Sequence, residues 1–240
     1  YLTASTIAFT NCHISSNTFY CANNAYAYGG GVYLNSGTAT FYRCTINANV
    51  ASGNYGCNCG GLNVESTAKA VLRECVISGN LANKSTAQGG GIRNLGQLIL
   101  ENCVVDGNDS SADEGDGIYA GGVTRILSST VAYNSGVGIL YAGSSISLSD
   151  SIVWGHSDDL KSFPDDGGVP PTLQDVWYSC VSDGDNNGVQ GCVALDPLFV
   201  DTNFYHLQST EGNYTGGYFT AGAWDVSLSN SPSIDRGNPS

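Results

Sequence analysis

Basic residues are scarce in this chain: 8 Lys and Arg stand against 21 Asp and Glu in 240 residues, a formal net charge of −13. Nucleic-acid binding rests on Lys and Arg at the phosphates, so it is not expected here, and an anionic membrane surface is disfavoured for the same reason. No run approaches the roughly 20 apolar residues that a membrane-crossing helix needs. Charged residues make up only 12% and glycine accounts for 32 positions, which leaves little material for amphipathic helices. Methionine is absent and the chain opens on Tyr1. A processed product or a fragment is therefore expected, and the lack of a signal peptide says nothing about export.

What is present is a repeat. Gly29-Gly30-Gly31-Val32 leads to Cys44-Thr45-Ile46-Asn47-Ala48-Asn49, and Gly60-Gly61-Leu62 to Cys75-Val76-Ile77-Ser78-Gly79-Asn80. Gly89-Gly90-Gly91-Ile92 leads to Cys103-Val104-Val105-Asp106-Gly107-Asn108, and Asp116-Gly117-Ile118 to Ser129-Thr130-Val131-Ala132-Tyr133-Asn134. A partial copy ends in Cys12-His13-Ile14-Ser15-Ser16-Asn17. Self-similarity at a period of about 20–50 residues marks a solenoid. Short alternating runs such as Thr38-Ala39-Thr40-Phe41-Tyr42 read as strands, with Gly, Asn, Asp and Ser between them. Coils of such strands hide an apolar side only by stacking on one another. Equivalent residues then form files. One inward file is expected from Cys12, Cys44, Cys75 and Cys103. A second is expected from Asn17, Asn49, Asn80, Asn108 and Asn134, whose amides can bond up and down the stack. The fold class is all-β, a single-stranded parallel β-helix (β-solenoid).

The GG-[VLI] element followed by [VI]-x-x-N resembles the repeats of polymorphic outer membrane proteins and related secreted right-handed β-helix proteins of bacteria. Ser151-Ile152-Val153-Trp154-Gly155, Asp196-Pro197-Leu198-Phe199-Val200-Asp201, Tyr205-His206-Leu207-Gln208-Ser209 and Ser231-Pro232-Ser233-Ile234-Asp235-Arg236-Gly237-Asn238-Pro239 resemble a second signature of such proteins. The resemblance implies a right-handed stack and a secreted or surface location; the general hand of parallel crossovers agrees. Residues 1–156 are expected to form the repeat array, 157–175 an irregular Pro/Gly/Asp loop, and 176–240 coils that close or extend the same helix. At about 25 residues per coil the chain makes on the order of nine coils and a rod roughly 40–45 Å long.

Nine cysteines in a secreted chain suggest an oxidising compartment. Cys180 and Cys192 flank a Gly/Asn-rich loop and are disulfide candidates. Cys21, Cys57 and Cys59 fall in loops on one edge, where one disulfide can join Cys21 to Cys57 or Cys59; the same three could instead take a soft metal. Asp183-Gly184-Asp185-Asn186-Asn187-Gly188 matches the start of a calcium loop, with Asp183, Asp185 and Asn187 as ligands, but the twelfth position is Ala194 where a bidentate carboxylate belongs. Asn83, Asn108 and Asn213 head N-x-[ST] acceptor sequences for glycosylation. Tyr26, Tyr28, Tyr218 and Trp224 offer sugar-stacking rings.

Polysaccharide lyases and hydrolases use this fold, so catalysis must be weighed. The eight Lys and Arg do not share one column of the repeat, and Asp106, Asp109, Asp113, Glu114 and Asp116 crowd one loop and read as a solvated edge. His13, His156 and His206 are far apart in sequence and read as structural, His156 standing where a corner Asn is due. The expectation is an extracellular or cell-surface structural solenoid without catalytic activity, self-associating, in one form head to tail as a filament. An adhesin or carbohydrate-binding module comes second and a polysaccharide lyase or hydrolase third.

Overall fold

The fold was described in a computed structural model for residues 1–3, 5–22, 26–54, 56–112, 114–142, 145–163, 175–216, 221–234 and 237. Alternation of apolar and polar residues, with tight turns between, sets each circuit of the chain as short strands rather than helices. Among the described residues there are 25 strands and no helix. The two main sheets contain 11 and 7 strands and are parallel throughout, so the chain is a parallel β-solenoid.

Each circuit has three faces. The first and second belong to the 11-stranded sheet, because Val32–Tyr42 and Leu62–Arg73 run unbroken around the bend between them, with one register shift between Leu34 and Ser36. In the next circuit the same path is divided into Ile92–Asn94 and Gln97–Glu101. The third face is the seven-stranded sheet, in which Ile14, Ile46, Ile77, Val105, Val131, Val153 and Val181 fall in register along a single row. From the second coil onward this row is wholly buried. Side chains of this kind each contribute about 1.5–3 kcal/mol on burial, and each does so only because the next coil covers it.

The turn from second to third face uses a left-handed residue in every coil: Asn11, Arg43, Glu74, Asn102, Ser128, Asp150 and Tyr178. Only two of these are Asn, the side chain that best tolerates that conformation. Bonding along the stack holds the others there: Arg43 N–H donates to the Arg73 carbonyl and Glu74 N–H to the Glu101 carbonyl, each at 3.0 Å.

Two features depart from the sequence reading. The third face counts seven strands where nine coils were expected, about 29 Å of rod at the usual strand spacing. The boundary expected at residue 157 also falls inside a coil. Asp158–Ser162 pairs with Val137–Tyr141, and Asp175–Trp177 pairs with Ile146–Ser149; residues 164–174 between them lie outside the described residues. Past the Val193 bridge to Cys180, the described residues add no further strand to the two main sheets, and the chain folds back along the third face instead. That return path accounts for the missing coils.

Candidate functional site

The corner after the third face carries a continuous line of hydrogen bonds. Asn17, Asn49, Asn80, Asn108 and Asn134 each follow a left-handed residue or glycine and point into the stack. Asn17 Nδ2 donates to Asn49 Oδ1 at 2.8 Å, and the Asn49–Asn80, Asn80–Asn108 and Asn108–Asn134 links repeat this at 2.9 Å. The same Oδ1 atoms also accept the backbone N–H of the preceding Asn. The remaining amide proton goes to a carbonyl in the preceding coil: Asn49 to Ile14, Asn80 to Ile46, Asn108 to Ile77 and Asn134 to Val105. From Asn49 onward these polar side chains are buried and fully bonded. From Asn49 to Asn134 a glycine lies against each amide, where a Cβ has no room. At Gly61 it would stand 2.3 Å from the Gly91 carbonyl oxygen and 3.0 Å from Asn80 Nδ2.

His156 ends the line. Asn134 Oδ1 is committed as an acceptor, so its Nδ2 donates to His156 Nε2 at 3.0 Å. The ring proton is thereby placed on Nδ1, which donates to Asp159 Oδ1 at 2.8 Å. Both side chains are fully enclosed. Asp159 Oδ2 accepts from the Ser182 N–H at 2.6 Å, from the Ser182 hydroxyl and from the Asp183 N–H at 3.3 Å. Burial pushes the Asp159 carboxyl up, but the bonds from His156 and Ser182 outweigh it and hold the group below the usual carboxylate range. Asp159 had no signal of its own in the repeat; its position three residues after the ladder histidine was the available clue.

The cysteine file is longer than its cysteines. Cys12, Cys44, Cys75 and Cys103 occupy the position just after the left-handed corner, and Ser129, Ser151 and Ser179 continue it. Cys44 N–H donates to Cys75 Sγ at 3.4 Å, Cys103 N–H to Ser129 Oγ at 3.0 Å, and Ser129 N–H to Ser151 Oγ at 3.1 Å.

The expected disulfides do not form: all nine cysteines are free thiols. Cys180 donates to the Leu195 carbonyl at 3.2 Å and Cys192 to the Val176 carbonyl at 3.5 Å, so each is held by backbone in place of the other. Cys21 is partly exposed, whereas Cys57 and Cys59 are buried, and burial raises their thiols to about 11 and about 12.

Asp183, Asp185 and Asn187 are all exposed. Asp183 accepts the Asp185 N–H of its own loop at 3.1 Å and the Asp159 N–H of the neighbouring strand at 2.8 Å. Among the described residues, no three or more His, Cys, Asp or Glu side chains are grouped to hold a metal ion, so the calcium expectation gains no built site. Asp183 and Asp185 instead line an open cleft of about 630 Å³ with Tyr141, Asp158, Leu160 and Lys161. Burial first, and then the charge of Asp183, raise the carboxyls of Asp158 and Asp185 there.

Of the three acceptor asparagines, Asn83 is exposed, Asn108 is locked in the ladder and Asn213 is buried with its Oδ1 on the Ser227 hydroxyl. Of the four proposed stacking rings, Tyr28 packs on Tyr33 with centroids 5.5 Å apart and Trp224 is 68% exposed. Tyr218 and the side chain of Tyr26 lie outside the described residues, as does Asp113 of the acidic loop. A cleft of about 450 Å³ opens between Tyr1, Phe19, Tyr28 and Tyr33 over Gly29–Gly31.

The basic residues are dispersed. Arg43 pairs with Glu74 and Arg73 with Glu101 at the bend between second and third faces. Arg93, on the outside of the first face, bonds to Asn63 at 3.1 Å, to Glu65 at 3.4 Å and to Gln88 at 3.1 Å.

A three-faced parallel stack with internal Asn and Cys/Ser files defines the class: a β-solenoid built from coils that share one interior. The chain belongs to the right-handed β-helix family, whose model, described as a right handed beta helix region, matches residues 1–193. No curated protein and no solved structure matches it.

Proposed function

We propose that this chain is an extracellular or cell-surface structural rod, a stiff spacer without catalytic activity, of the kind built from polymorphic outer membrane protein-type repeats of secreted bacterial proteins. The observation that carries the reading is the unbroken Asn17-to-Asp159 line. It ties the coils together with buried, saturated bonds and spends the stack's internal polar groups on rigidity. Arg43, Arg73 and Arg93, spent in ion pairs at a bend and on the first face, support it as well.

We further propose that the rod self-associates end to end into a filament. Residues 1–42 contain no Asp, Glu, Lys or Arg, although charged side chains are a usual way of blocking pairing at a sheet edge. Leu2, Ile7, Phe9, Cys12 and Ile14 of the first coil pack on the core while remaining partly exposed. At the other end, Asp158–Ser162 and Asp175–Trp177 are the outermost strands of their sheet. Electron microscopy and light scattering of the purified chain test this. Rods that lengthen in whole-molecule steps with concentration are expected, and monomers at every concentration would overturn the filament. Turnover of a polysaccharide by the same sample would overturn the non-catalytic reading.

A second reading, carbohydrate binding, is favoured by the aromatic cleft of Tyr1, Phe19, Tyr28 and Tyr33. Its volume lies in the range of about 300–1,000 Å³ typical of small-ligand sites. Glycan-array binding that Tyr33→Ala abolishes would support it, and a blank array would remove it.

A further inference from the structure

The segment that follows the last coil is a hairpin laid on the outside of the third face. Phe199 bridges Leu207 in antiparallel fashion, the Val200 N–H donates to the His206 carbonyl at 2.7 Å and the Gln208 N–H to the Leu198 carbonyl at 3.0 Å. Asp201 Oδ1 closes the tip by accepting the N–H groups of Asn203 and Phe204 at 2.7 and 2.8 Å. Tyr205 then takes a left-handed backbone, φ 59°, which sends its ring onto the rod. There it is 6% exposed among Val76, Val104, Ala132 and Phe199, and it stacks on Tyr133 with centroids 6.0 Å apart.

Beneath the ring is a carboxyl. The Tyr205 hydroxyl donates to Asp106 Oδ2 at 3.1 Å. Asp106 Oδ1 is buried and, among the described residues, has no partner. The neighbours of Asp106 in the flanking strands, Ser78 and Ala132, carry no charge. On the hairpin side the titratable groups are Asp201, Tyr205 and His206, with Tyr133 beside them on the rod. Among the described residues, only the Tyr205 hydroxyl bonds to the carboxyl.

We propose that the hairpin 198–208 is a pH-dependent clasp, held on the third face while Asp106 is protonated and loosened when it ionises, uncovering the apolar strip of Val76, Val104 and Ala132. An ionised Asp106 leaves one buried oxygen without a donor; a protonated one does not carry that charge. Consistently, burial raises the carboxyl to about 6, outweighing the lowering effect of the Tyr205 bond. A group raised in the docked state favours docking below its open-state value, about 4, and loses that contribution as pH climbs through about 6. A rise from about 4 to about 6 corresponds to about a fiftyfold change in the opening equilibrium between pH 4 and pH 7.

Native-state amide exchange, corrected for the intrinsic rate at each pH, reads this directly, because an isolated two-stranded hairpin is at best marginally stable once lifted. Protection of Val200 and Gln208 is expected to fall about fiftyfold from pH 4 to pH 7 in the native chain. Asp106→Asn should flatten that dependence. Tyr205→Phe keeps the ring but removes the bond that favours the carboxylate, so its midpoint should move above 6. Equal protection at both pH values, a slope retained in Asp106→Asn, or simultaneous loss of protection at Leu98 and Leu100 in the core would each overturn the proposal.

Discussion

His156 stands between Asn134 and Asp159, accepting from one at 3.0 Å and donating to the other at 2.8 Å. It thereby converts a file of neutral amides into a line that ends on a charge. A histidine is suited to this place because the ring can accept on one nitrogen while donating from the other. Another amide could also continue the line, but its carbonyl and NH₂ would leave a different reach to Asp159.

The charged end should set the acid limit of the rod. Asp159 is held below the usual carboxylate range. Its contribution is therefore present above the unfolded value, near 4, and lost as pH falls through the folded one. Asp159→Asn should cost about 2–4 kcal/mol at pH 7 in urea unfolding, with the difference from wild type shrinking below about pH 4. A difference that stayed constant down to pH 3 would contradict the assignment.

Position along the line should decide the cost of breaking it. Asn80→Ala strips an acceptor from Asn49, a donor from Asn108 and the bond to the Ile46 carbonyl, all in buried surroundings. About 3 kcal/mol of destabilisation is expected. Asn17→Ala, at the exposed first coil, should cost under about 1 kcal/mol.

Thiol chemistry separates the cysteines into two groups. Cys12 and Cys21 are partly exposed and the other seven are buried. An aromatic disulfide reagent should titrate two thiols quickly in the native chain and all nine after denaturation, and intact mass should show no disulfide. Cys103→Ser should change stability by less than about 1 kcal/mol, since serine already fills the file at Ser129, Ser151 and Ser179.

Two glycines test close approach against backbone freedom. A Cβ at Gly61 would meet the Gly91 carbonyl oxygen at 2.3 Å, whereas at Gly79, φ 59°, it would meet nothing within 4 Å. Gly61→Ala should cost more than about 3 kcal/mol, and Gly79→Ala about 1 kcal/mol from its left-handed backbone alone, as measured by thermal unfolding.

Much of this fold was legible because a solenoid repeats its constraints. Ile46, Ile77 and Val105 occupy equivalent places, so one correct reading of a coil serves for the next. The rest escaped for physical reasons. The continuation of the cysteine file as Ser129, Ser151 and Ser179 was hidden because a thiol and a hydroxyl accept the same N–H while looking unlike in sequence. The Tyr205–Asp106 contact joins residues 99 apart in different structural contexts, and no periodicity links them. Cys180 and Cys192 are close in sequence, but the turns between them point each sulfur at a backbone carbonyl, which spacing alone does not reveal.

Because every amide in the ladder faces the same way, any two successive coils join as well as any other two. Removing the stretch between one asparagine and the next brings like against like and leaves both termini untouched. The unit in which such a molecule gains or loses length is therefore the complete circuit, and loops as different as those before Gly60 and Gly117 are free to vary without disturbing the spacing inside.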